Sequence, residues 1–237
     1  LNVNLPPFDD VKVRQAFAQA MDKKKLTDLV LEGMAVPATG ILPPGMPDYD
    51  KSFAGLPYDP EQARQLLAAS RYGTQEPMPE VVLTISGTSG HMPDTIKAIR
   101  HMISESLGIE MRVEQVDWAH FLDDLSAGRY QMFSAGWMAD YPDSQDFLDI
   151  LFHGKSSQNH TGYHNERVDS LLERARVEDE MVERRALYQQ VEAIVVYEAS
   201  VIPLYHSKTH MLVKPYVRGF RPGASLYPWL KGIRLER

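Results

Sequence analysis

Three consecutive stretches leave this chain few architectures. Val81 to Ser86 is an apolar, β-branched run, the composition of a pleated, half-buried surface. After the turn residues Gly87 to Pro93, the stretch Thr95 to Leu107 sets Ile96, Ile99, Met102, Ile103 and Leu107 on one side, and Gly108 stops it. That is helical spacing with a glycine C-cap. Ile109, Met111 and Val113 then alternate with polar residues up to Val116, which is the two-residue period of a strand. Strand, helix and strand at this spacing form a βαβ unit, so the two strands are expected to run parallel. A parallel pair needs helices on its faces, and the predicted class is α/β, a mixed sheet flanked by helices.

The remaining segments fit that frame. Asn2 to Pro7 is extended, and Asp9 and Asp10 open a helix whose apolar face is Val13, Ala16, Phe17, Ala20 and Met21. A second helix carries Leu26, Leu29 and Val30 and stops at Gly33. Val36 to Pro57 holds five prolines and three glycines, so it reads as a long, partly mobile loop. Asp59, Pro60 and Gln62 stand as N-cap, N1 and N3 of the next helix. Asp117 caps a helix with Trp118, Phe121, Leu122 and Leu125, and Tyr130 to Ala135 reads as a strand. Helices follow at Val168 to Arg176 and Met181 to Ala199, then short strands at Val201 to Tyr205 and Met211 to Val213.

Composition excludes several function classes. The net charge of −7 argues against nucleic acid, whose phosphates need a basic patch. With no cysteine, disulfides, thiolate zinc sites and thiol catalysis are ruled out. No apolar run approaches the ~20 residues of a membrane helix.

The candidate site is Gly136 to Asp143, between the Tyr130 to Ala135 strand and a helix over Ser144 to Phe152. A strand-to-helix turn is where α/β proteins commonly place binding groups. Asp143 reads as the N-cap of that helix, Asp146 as its first-turn acid and Asp149 as solvated. Asp140 has no such duty. Trp137 and Tyr141 beside it are expected to wall a pocket, since binding sites are mostly apolar with a few polar anchors. Other patterns are weaker. Gly87 to His91 fails the G-x-S-x-G elbow because position 91 is His. His153, His160 and His164 share a polar loop but match no fixed zinc spacing, so they read as surface histidines and no metal is expected. An acid pair drawn from Asp140, Asp143, Asp146 and Asp149 for glycoside hydrolysis is a remote alternative.

The chain resembles the family 5 extracellular solute-binding proteins, the dipeptide- and oligopeptide-binding group of ABC importers. Three blocks carry the likeness. The first is Pro7 to Phe17 with Ala20, Met21 and Asp22. The second is Gly136-Trp137 to Pro142-Asp143, with Phe147-Leu148 and Leu151-Phe152. The third comprises Asn159, Gly162-Tyr163, Asn165, Val168-Asp169, Leu171-Leu172, Ala175, Arg185, Tyr188 and Ile202-Pro203-Leu204. Ser144 stands where the family usually has proline, a departure at the helix start that leaves the anchor intact.

The resemblance implies a periplasmic-binding-protein type II-like lobe. Residues 1–204 would be the second, C-terminal lobe and 205–237 a segment returning toward an absent N-terminal lobe. It implies that a peptide's free amino group meets Asp140 and that its backbone pairs with the strand Gly136 to Met138, with Trp137 and Tyr141 alongside. It implies no catalysis and no cofactor. The partners would be a peptide and membrane permease subunits, the full-length form a monomer, and the location periplasmic or a cell-surface lipoprotein. A sugar or nickel chelate is the alternative ligand.

Overall fold

The computed structural model of the chain describes residues 1–221 and 230–236, so part of the expected returning segment lies outside the described residues. Helix α1 (Val11–Gln19) starts at Asp10, whose carboxylate accepts from the Lys12 N–H at 2.8 Å. It buries Val13, Ala16 and Phe17, as the spacing predicts. Helix α2 (Lys23–Lys25) widens into a π-type turn over Leu26–Val30. The extra residue in that turn rotates the apolar face. Leu26 is buried while Leu29 points outward, contrary to the simple periodic reading.

Strand β1 (Ala35–Pro37) leads into the proline-rich loop, and helix α3 (Pro60–Ala68) begins with Asp59 accepting from the Gln62 N–H at 2.9 Å. A short helix α4 (Arg71–Thr74) follows. Strand β2 (Val81–Ser86), helix α5 (Asp94–Leu107) and strand β3 (Met111–Val116) form the expected βαβ unit. The two strands are parallel and paired along their whole length, from Val81 with Met111 to Ser86 with Val116. Helix α6 (Trp118–Ser126) then returns the chain to strand β4 (Met132–Phe133) on the other side of β2, giving the order β3-β2-β4.

Strand β4 is shorter than the Tyr130 to Ala135 run suggests. Tyr130 leaves the sheet to stack on Phe121 at 5.4 Å. Gln131 offers its side-chain oxygen, not its backbone, to the Val82 N–H at 2.8 Å. Only Leu83–Met132 and Thr84–Phe133 pair, and the Ser134 N–H adds one bond to the Thr84 carbonyl. Because all three strands are parallel, the loops after β2, β3 and β4 open at one edge of the sheet, where ligands of open α/β sheets bind.

Helices α7 (Gln145–Phe152), α8 (Glu166–Val177) and α9 (Met181–Tyr197) make a second core around Leu148, Leu172, Tyr188 and Val191. Strand β5 (Tyr205–Ser207) runs antiparallel to β1, so of the expected Val201 to Tyr205 only Tyr205 pairs and the strand runs on to Ser207. Met211 to Val213 is exposed and forms no strand. Strands β6 (Val217–Arg218) and β7 (Arg234–Leu235) pair with each other.

The loop expected to be mobile is tied down. Leu42 is fully buried in the second core, and Glu192 Oε1 accepts from the Ile41 and Leu42 N–H groups at 2.7 and 2.8 Å. Asp48 accepts from the Ser144 hydroxyl at 2.7 Å, which links the loop to the start of α7. Among the described residues, no helix is long and apolar enough to cross a membrane.

Candidate functional site

The turn after β4 presents all five candidate residues, Gly136, Trp137, Met138, Asp140 and Tyr141, to solvent. Gly136 to Met138 is irregular, not the strand expected there. Among the described residues its N–H and C=O groups make no main-chain hydrogen bond. A Cβ added at Gly136 would meet nothing within 4 Å, so the space in front of that backbone is open.

Three further carboxylates lie at or behind the turn, and two of them, Asp143 and Asp149, differ from their expected roles. Asp143 accepts from the Gln145 N–H at 2.9 Å, a local cap, but Ser144 occupies the N-cap position. Its main partner is Arg184 on α9, which donates two hydrogen bonds at 2.8 and 2.9 Å. Burial opposes ionisation of Asp143, but Arg184 and the Gln145 N–H outweigh it and hold the carboxyl below its usual range. Asp149 is not solvated: it is buried and takes a bidentate bond from Arg176 at 2.6 and 2.7 Å. Asp146 is the first-turn acid expected, and it is wholly buried. Its Oδ2 accepts from Trp137 Nε1 at 3.0 Å and from the Asp140 N–H at 3.2 Å.

Asp140 is thereby distinguished. Its neighbours Asp143 and Asp149 consume Arg184 and Arg176, and among the described residues its own exposed carboxylate makes no ion pair. Tyr141 donates its hydroxyl to Gln145 Oε1 at 3.3 Å. Burial, then the surrounding aspartates Asp146 and Asp143, push the Tyr141 phenol up and keep it neutral. A cavity of about 120 Å³ lies along the same strand, lined by Leu83, Met132, Phe133, Ser134, Ala135 and Ile202 among others. None of the five candidates lines it, and all five are exposed.

The other motifs do not converge. Among the described residues no group of three or more His, Cys, Asp or Glu side chains is arranged to hold a metal. His153 is buried, not on the surface, and its Nδ1 accepts from the Lys155 N–H at 3.1 Å. His160 is half-buried, which lowers its pKa, and His164 lies 3.3 Å from Asp169. The Ser89 hydroxyl contacts only the main chain of His91, with no base beside it.

Two features escaped the sequence reading. Trp118, assigned to a helix core, is 63% exposed at the carboxyl end of β3, stacked on Phe121 at 6.0 Å. Its position directly after the Asp117 cap, at the helix mouth, was the available signal. The bond from Asp146 to Trp137 spans nine residues of irregular backbone and left none.

Comparison with known proteins identifies the family. A family model described as bacterial extracellular solute-binding proteins, family 5 middle, matches residues 1–159. The dipeptide-binding protein DppE of Bacillus subtilis (strain 168) is 30% identical over 225 residues, which is 92% of this chain and 41% of that protein. The probable deoxycholate-binding periplasmic protein YgiS of Escherichia coli (strain K12) is 31% identical over 228 residues, again 92% of this chain and 41% of that protein. Among solved structures, HbpA2 from Haemophilus parasuis matches with a TM-score of 0.84 and 26% identity over 100% of this chain and 47% of its own. The chain thus spans about two-fifths of the length of the curated relatives it matches, 41% in both cases. With its α/β architecture shared with that structure and the family match covering both the α1 block and the turn at 136–143, the chain belongs to the family 5 bacterial extracellular solute-binding proteins.

Proposed function

We propose that this chain is the second lobe of a receptor that captures short peptides for an ABC importer. Residues 1–204 form the lobe, and 205–237 return toward a first lobe that closes over the ligand. The observation that carries the reading is Asp140, an exposed carboxylate with no ion-pair partner among the described residues, next to the unpaired main chain of Gly136 to Met138. A peptide's ammonium hydrogen-bonds Asp140, a contact worth about 1.5–3 kcal/mol. Its backbone lies along 136–138 as an added strand, which gives affinity without reading side chains. Trp137 and Tyr141 supply apolar walls, and lobe closure removes water and strengthens each polar contact.

The family consists of solute-binding proteins, and the site offers no acid pair for hydrolysis. Asp143 and Asp149 are held by arginines and Asp146 is buried. The partners of the full-length monomer are then the permease subunits of the importer, and its place is the periplasm or the outer face of the cell membrane. A second reading, another small solute such as a sugar or a nickel chelate, draws support from the YgiS match, since that relative is named for deoxycholate. Native mass spectrometry of the full-length protein as purified separates the two.

Asp140→Ala in the full-length protein is expected to weaken free peptides by about 2–5 kcal/mol. N-acetylation of the peptide should weaken the wild type similarly. Unchanged calorimetric affinity in both experiments overturns the assignment.

A further inference from the structure

We propose that Asp146 is the positioning residue of the ligand turn, acting through Trp137 and Asp140 without touching ligand. Ligand binding enters here through the peptide-anchoring role of those two residues; the clamp itself is a property of the ligand-free turn. Asp146 sits in the first turn of α7, fully buried, where the helix N-terminus favours a negative charge. One of its oxygens accepts from both ends of the segment 137–140: the Trp137 indole at 3.0 Å and the Asp140 N–H at 3.2 Å. Gly136 to Met138 has no main-chain bond among the described residues. Among the described residues, Asp146 is thus the side chain that hydrogen-bonds both ends of this segment, beside the packing of Ala139 against the second core.

Its other oxygen, Oδ1, is buried without a partner among the described residues. A buried carboxylate left half satisfied costs stability. What the carboxylate supplies in return is placement. The turn is ordered before ligand arrives, so the entropy of ordering it is not charged against binding.

Amide hydrogen exchange on the ligand-free full-length protein tests the clamp directly. In Asp146→Ala, residues 135–143 should exchange about tenfold faster, the loss of roughly one charged hydrogen bond, while α8 and α9 stay near wild type. Asp146→Asn should restore most of the protection, because one amide oxygen can accept both donors. If Asp146→Ala fails to fold, Trp137→Phe removes one of the two bonds and should raise exchange around Asp140 about threefold. Unchanged exchange in 135–143, or loosening shared equally by α8 and α9, overturns the proposal and makes Asp146 a packing residue. With a peptide that the wild type binds, Asp146→Ala should lose about tenfold in affinity and Asp146→Asn recover it. Failure of the wild type to bind any free peptide would end the peptide reading, while the exchange result would still decide the clamp.

Discussion

Glu192 lends itself to a prediction with a definite size. It is buried on α9, and its Oε1 accepts from Ile41 and Leu42 at 2.7 and 2.8 Å. Glu192→Ala leaves two N–H groups unsatisfied beside the wholly buried Leu42. At about 1–3 kcal/mol for each, the loss should be about 2–6 kcal/mol. For a chain of this length, 3 kcal/mol corresponds to a fall of roughly 6–12 °C in Tm. Glu192→Gln keeps an acceptor of the same shape and removes a buried charge, so it should stay within about 1 kcal/mol of wild type. Burial pushes the Glu192 carboxyl up, the two backbone N–H groups pull it partly back, and Asp50 adds to the rise. The sign follows from linkage. A carboxyl raised in the folded state binds its proton more tightly there than when unfolded, so its contribution to stability falls as pH climbs from the ordinary value near 4.5 through the folded one. Urea melts of wild type and Glu192→Gln between pH 4 and 7 should therefore converge at the acid end, with wild type losing ground as pH rises. Equal damage from Gln and Ala, or a difference flat across that range, would refute the reasoning.

Asp143 should behave in the opposite sense. Its carboxyl is lowered despite burial because Arg184 and Gln145 favour the charged form, so its contribution is present above the ordinary carboxylate pKa and lost as pH falls through the folded value. Asp143→Asn should cost about 1–3 kcal/mol at pH 7 and progressively less below pH 4, measured by chemical denaturation. Gly55 and Gly108 both have positive φ, +57° and +69°, but a Cβ at Gly55 would lie 2.0 Å from the Thr39 carbonyl while one at Gly108 meets nothing within 4 Å. Gly108→Ala should cost about 1–2 kcal/mol, the left-handed penalty alone. Gly55→Ala should cost clearly more, and equal Tm losses would contradict the packing described. Leu148→Ala, in the second core at full burial, should cost about 2–5 kcal/mol in the same melts.

What capping and side-chain period decide was legible in the sequence. The switch from two-residue to helical period and back announced β2, α5 and β3. Asp10, Asp59 and Asp117 announced their helices, because a cap bonds two or three residues ahead. The aspartates of α7 show where that local view ends. Their spacing suggests capping, but Asp143 and Asp149 are matched to arginines 41 and 27 residues away, and no local rule names a partner at that distance. Trp118 fits a core-facing helical period as well as Phe121 does, and only the surrounding layers leave it outside. Strand β4 was overestimated for a related reason: the pull of Phe121 on Tyr130 is tertiary. The exposure of Asp140, by contrast, follows from its lying before the helix begins, where no cap requires it.

The uncovered run from Gly136 to Met138 is indifferent to whatever side chains travel with the backbone that extends along it. On the function proposed above, its unpaired N–H and C=O groups are as available to a second copy of this chain as to a peptide, the hazard of any backbone margin left without partners. Asp140 puts the same charge beside that margin in every copy, so self-docking carries a repulsion that an incoming ammonium does not. A single acid would then work as a sieve, admitting chains that end in a cation and turning away those that simply continue.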